Sequence, residues 1–252
     1  MEIDFTPQSP ATAAYRRRVP QASEAVLFLH GITGSPAAWT PIARALGDEG
    51  VSVSVPLLPG HGTRWQELNR TGWDAWIDSA AEELRELRST HEKVIVAGLS
   101  MGGALALSLG TQKNSADALV LVNPALVIDS PLASGLQLLK HVVRSVPAIG
   151  NDIAHPGRDE YAYDRTPVAA VASFAAAQRG LRERLWRIEC PVTVLVSGRD
   201  NVVGPRSLAL LRSRLPRPPR VVSLRRSHHV ATLDHDAPRI AEVILDAARV
   251  RE

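Results

Sequence analysis

The chain has 252 residues, 45% hydrophobic and 22% charged, which supplies one large buried core and excludes wholesale disorder. The formal net charge is only +3, and three of the 29 basic residues are lysines (Lys93, Lys113, Lys140). The arginine clusters at 16–18, 182–187 and 212–220 have acids such as Glu183 and Glu189 nearby, so they read as solvated surface and not as a site for an anionic partner. The single cysteine, Cys190, excludes an intrachain disulfide and reads as a small core or strand-edge residue.

Residues 1–21 contain no apolar run of the secretory type. No stretch approaches the roughly 20 apolar residues of a membrane helix, and the expected compartment is the cytoplasm. Short apolar runs at Ala25–His30, Val51–Val55, Val94–Ala97, Ala118–Val122, Val192–Ser197 and Val221–Leu224 read as buried strands. Where the runs are continuous and not alternating, they suit a parallel sheet covered on both faces. Helix patterns lie between them. Pro36–Leu46 spaces Trp39, Ile42, Ala43 and Leu46 at a helical period, and Trp73–Leu87 does the same with Trp76, Ile77, Ala80 and Leu84. A last helix follows Asp236 as N-cap and carries Ile240, Val243, Ile244 and Ala247 on one face. This alternation predicts an α/β fold with a mostly parallel, doubly wound sheet.

Residues 124–187 break the rhythm. They contain no convincing strand, only helix-like pieces around Gly135–Val146 and Pro167–Leu185 joined through the polar loop Gly150–Arg158. Such a segment is either a helical cap or a set of surface helices packed on the sheet.

The chemistry concentrates after the third of these runs, at Gly98-Leu99-Ser100-Met101-Gly102. G-x-S-x-G alone is a weak signal; between an apolar strand and an apolar helix it describes a sharp turn that lifts a serine Oγ clear of a sheet. The glycines remove side chains that would collide across the turn, and the helix N-terminus directs N–H groups and a positive dipole end at the reacting oxygen. A serine hydroxyl needs a base, and on such a sheet the order is serine, acid, histidine. Asp200 follows the strand at Val192–Ser197, and a histidine follows the strand at Val221–Leu224. Spacing leaves His228 and His229 both open. Asp234 and Asp236 read as turn and cap residues. The N–H of Met101 supplies one oxyanion donor and Ile32, in His30-Gly-Ile-Thr-Gly, is the candidate for the second. His30 and His61 read as structural loop histidines.

With HGITGSP, PLLPGHGT, GLSMGG, EYAYDRTP, SGRDNVV and SHHVATLDHD in order, residues 25 to 248 resemble the small bacterial carboxylesterases and monoacylglycerol lipases of the α/β-hydrolase superfamily. The resemblance implies an α/β-hydrolase fold with a core of residues 1–123 and 188–252, a small helical cap at 124–187, a small-molecule ester as substrate and no cofactor. It favours His229 as the base and maps Ile32 and Met101 to the oxyanion donors. It also maps the residues around a glycerol head to Glu160, Ile149 and Asn123. Ile32 stands where a phenylalanine is common in relatives, a change that leaves the backbone donor intact. A dehalogenase would need a carboxylate at position 100. There is no H-E-x-x-H or other metal-ligand set among the eight histidines, no phosphate loop and no sign of nucleic-acid recognition.

Overall fold

The computed structural model describes residues 9–113, 115–127, 136–148 and 150–250. In chain order the elements are β1 (Tyr15–Arg17), β2 (Glu24–Leu29), α1 (Thr40–Asp48), β3 (Ser52–Val55), α2 (Trp65–Leu68), α3 (Trp73–Arg88), β4 (Lys93–Leu99), α4 (Met101–Gly110) and β5 (Ala118–Val122). There follow α5 (Leu136–Leu139), β6 (Ser145–Pro147), β7 (Arg165–Pro167), α6 (Val168–Arg184), β8 (Val192–Ser197), α7 (Arg206–Arg214), β9 (Arg220–Leu224) and α8 (Ala237–Arg249).

Seven strands form one sheet in the order β1-β3-β2-β4-β5-β8-β9. Every pairing is parallel except that of β1 with β3. Successive side chains on the central strands leave opposite faces. Leu27, Leu29, Val94, Val96, Leu119, Leu121 and Val194 pack under α3, α4 and α6, with Trp76, Leu84, Leu105 and Phe174. Val26, Phe28, Ile95, Ala97, Val120, Val122 and Leu195 pack against α1 and α8, through Ile42, Leu46, Ile240, Val243 and Ile244. Burial on both faces is why these strands read as unbroken apolar runs, and each large buried side chain contributes about 1.5–3 kcal/mol. The C-terminal ends of β4, β5, β8 and β9 thus open side by side at one edge of the sheet.

Several expectations are corrected. The segment 124–187 is not strandless: Ser145–Pro147 pairs antiparallel with Arg165–Pro167 as a separate two-stranded sheet. Strands of three residues are too short to show a period. Among the described residues, the helix expected around 135–146 spans Leu136–Leu139. Tyr15–Arg17 is an edge strand, although its arginines read as surface, and both α2 and α7 are additional helices. On α8 the buried alanine is Ala248, not Ala247. Asp236 holds the N-cap position of α8 without a side-chain cap bond; its Oδ2 instead accepts the Arg226 N–H and the Ser227 hydroxyl.

Candidate active site

Ser100 joins β4 to α4 with φ 57° and ψ −117°. A non-glycine residue there is strained, and the surroundings hold it. Its N–H donates to Val122 O (3.0 Å), and its carbonyl accepts from Gly103, Ala104 and Ala125. The turn is so tight that a Cβ on Gly98 would meet Gly102 O at 2.2 Å, and one on Gly102 would meet Leu29 O at 2.0 Å. Both glycines are therefore required by backbone approach. Ser100 lines a cavity of about 60 Å³ together with Gly31, Ile32, Asp152, Glu160, Val202 and His229.

His229 and Asp200 meet across the ends of β8 and β9. Nδ1 of His229 lies 2.9 Å from Asp200 Oδ2, and the two side chains are only 8% and 5% exposed. The other oxygen of Asp200, Oδ1, accepts the N–H groups of Val202 and Val203 at 2.8 Å each, so the carboxylate is held by its own turn. The neighbouring His228 faces a different acid: its Nδ1 is 3.2 Å from Asp152 Oδ1. Ser100 and His229 share the cavity, and no hydrogen bond joins them; such contacts commonly close only with substrate bound. Asn123, at φ 45°, is buried and does not line the cavity. Its Nδ2 donates to Ser197 Oγ (2.9 Å) and His229 O (2.7 Å), and its Oδ1 accepts the Ser197 N–H (2.8 Å). The amide is thus spent on tying the His229 loop to β8.

The loop after β2 forms the facing wall. A Cβ on Gly31 would sit 3.6 Å from that of Ser100. Among the described residues, the N–H groups of Ile32 and Met101 make no hydrogen bond. Two buried histidines brace this loop. Leu58 N–H donates to His30 Nε2 (3.3 Å), so Nδ1 carries the proton and donates to Gly31 O (3.0 Å). The Nε2 of His61 lies 2.7 Å from Ile32 O. Burial pushes His30 well below the ordinary imidazole value and lowers His61 to about 4, so both rings are neutral at pH 7.

Glu160 is 6% exposed and belongs to the segment between β6 and β7. Oε1 accepts the Asn151 N–H at 2.9 Å, while Oε2 faces the Gly34 side of the cavity, 3.0 Å from where a Cβ on that glycine would stand. Burial raises its pKa. Arg165 does not pair with it: that guanidinium bonds Ser145 Oγ and O. The residue stretch around Glu160 is fastened to the loop by Ser35 Oγ donating to Glu160 O (2.9 Å) and Tyr163 N–H to Thr33 O (3.1 Å). Ile149 lies outside the described residues.

One carboxylate at the site escaped sequence reasoning. Asp152 lines the cavity from the polar loop. Asp234, read as a turn residue, accepts the N–H groups of Ala154, His155, His228 and His235. Against the opposing effect of burial, these four bonds hold its pKa below the usual carboxylate range. Among the described residues, no cluster of His, Cys, Asp or Glu is arranged to hold a metal ion, and no helix is long and apolar enough to cross a membrane.

The chain is 35% identical over 222 residues, 88% of each chain, to a thermostable monoacylglycerol lipase of Bacillus sp. (strain H-257). It is 24% identical to a carboxylesterase of Bacillus subtilis (strain 168), over 84% of this chain and 87% of that one. A solved structure from work on the metagenome-derived lipolytic enzymes LipS and LipT superposes with a TM-score of 0.90 at 30% identity, covering 95% of this chain and 98% of the other. The Paleococcus ferrophilus monoacylglycerol lipase shares the fold, with a TM-score of 0.77 at 18% identity, over 92% of this chain and 97% of that one. The profile of the alpha/beta hydrolase family matches residues 26–243, so the chain belongs to the alpha/beta hydrolase family.

Proposed function

We propose that the protein is a serine hydrolase that cleaves carboxylic esters through an acyl-enzyme, with Ser100 as nucleophile, His229 as base and Asp200 as its orienting acid. The observation that carries the reading is the strained Ser100 turn facing, in one cavity, a histidine held by Asp200 at 2.9 Å. Ser100 Oγ attacks the ester carbon as His229 takes the hydroxyl proton, and Asp200 stabilises the imidazolium. The oxyanion accepts the N–H groups of Ile32 and Met101. Collapse breaks the C–O bond to the alcohol, which leaves with the proton from His229. Water then gives its proton to His229 and attacks the acyl carbon, which releases the carboxylic acid and restores Ser100.

The substrate class we propose is monoacylglycerols, along with short- to medium-chain esters, and the segment 124–187 acts as a cap over the site. The similarity to a monoacylglycerol lipase supports this reading, as does a buried carboxylate with one oxygen turned to the cavity. Glu160 would accept hydrogen bonds from the free hydroxyls of a glycerol head. A hydrogen bond to a charged group contributes about 1.5–3 kcal/mol, or about 10- to 150-fold in kcat/KM if it persists in the transition state. The test compares wild type, Glu160→Gln and Glu160→Ala on a monoacylglycerol and a methyl ester of the same acyl length. A selective loss on the monoacylglycerol is expected. Equal losses on both esters, or none, would leave a general carboxylesterase.

A further inference from the structure

Asp152 sits in the loop that leads to Glu160, and the two loops that carry the acid and the base converge on its carboxylate. Oδ2 accepts the backbone N–H of His229 (3.1 Å) and of Asn201 (3.1 Å), the residue that follows Asp200. Oδ1 accepts Asn201 Nδ2 (2.8 Å) and faces His228 Nδ1 (3.2 Å). The main chain joins the same junction, since Val230 N–H donates to Asp152 O at 3.0 Å. The side chain is only 11% exposed. Burial alone would raise its pKa, but the bonds from Asn201 and His229 and the nearby His228 outweigh it and hold Asp152 below the usual carboxylate range.

These contacts have a common geometry. Asp200 leaves the end of β8 and His229 leaves the end of β9, so the 2.9 Å contact between them depends on two separate loops keeping one separation. Asp152 bonds the peptide of His229 itself and the residue beside Asp200 with the same carboxylate. Hydrogen bonds to an ionised acceptor are about twice as strong as neutral ones, which strengthens this clamp. We propose that Asp152 is a positioning residue for the Asp200–His229 pair, and that through it the alignment of that pair depends on the docking of the segment 124–187. The inference rests on the serine-hydrolase reading above. It differs from a fastening role, in which Asp152 would only anchor the segment and leave each folded molecule fully active.

The test uses the full chain with Asp152→Asn, which keeps the size and gives up the charge, and Asp152→Ala, which removes every contact. Rates are expressed per reactive serine, titrated to completion with an ester-like phosphonate. Misplacement of reacting groups by about 1 Å can cost about 100-fold. The expected result is a fall in kcat of about 10- to 100-fold with KM little changed, larger for Asp152→Ala, and a parallel fall in the rate of phosphonylation. Wild-type kcat per titrated site, a loss carried by KM alone, or a lower melting temperature with unchanged kcat would each overturn it. Ser100→Ala is run alongside. If it turns over, the parent reading falls and the inference with it. If it is inactive while Asp152→Asn is fully active, the inference falls alone.

Discussion

At Ser100 the backbone and the chemistry are one question, because the strained φ of 57° exists only where Gly98 and Gly102 let the turn close. Ser100→Ala keeps that backbone, since alanine differs by one oxygen, and is expected to fold with esterase activity reduced by several orders of magnitude. Near-normal turnover in an ester assay would exclude Ser100 as nucleophile. His229→Ala is expected to be equally inactive, because Nδ1 of this ring and not that of His228 meets Asp200. His228→Ala should keep most activity, and the reverse pattern would reassign the base. In Asp200→Asn the amide cannot stabilise an imidazolium, so most turnover is lost while the turn at Val202 and Val203 still has its acceptor.

Among the elements, the loop after β2 has an unusual internal support. His30 and His61 stand edge to face with centroids 4.7 Å apart, both fully buried, with His61 lowered to about 4. An unfolded histidine titrates near 6.5, so below that pH the unfolded chain binds protons that the native loop refuses. The contribution is fully present above about 6.5 and is lost as pH falls towards 4, on the order of 3 kcal/mol for His61 over that window. Denaturant unfolding at pH 7.5 and pH 4.5 measures it. His61→Gln is expected to flatten the dependence without abolishing it, because His30 acts in the same sense. An unchanged slope would show that His61 is not the source. Asp152 and Asp234, held below the usual carboxylate range, add losses only at lower pH. The central strands β2, β4 and β5 were legible because burial on both faces leaves an unbroken apolar run in the sequence; β3, β8 and β9 were legible from their valine content. β1, with Tyr15-Arg-Arg, carries no such run, and in α7 the short run Leu208–Leu211 is flanked by arginines, with only Ser207 and Leu211 of the helix buried. Ser100, Asp200 and a histidine could be named because each follows a strand in a fixed order. Asp152 could not, since it meets partners 49 and 77 residues away along the chain.

On the scale of the whole molecule, the sheet ends in two different margins. At one, β9 has among the described residues only β8 as neighbour, with Arg220, Val221 and Ser223 exposed. At the other, β1 is three residues long, and its arginines are engaged: Arg16 with Glu83 (2.6 Å) and Glu86, and Arg17 with Asp48. Exposed ion pairs of this kind contribute little to stability, about 0–1 kcal/mol each. Their consequence lies between molecules. An open strand edge is a template for another chain, and short strands carrying charge blunt it. Arg16→Thr with Arg17→Thr should therefore leave the active site and fold intact yet produce concentration-dependent self-association, read by light scattering across a dilution series. A strictly monodisperse double variant at high concentration would show that this margin needs no charge to stay solitary.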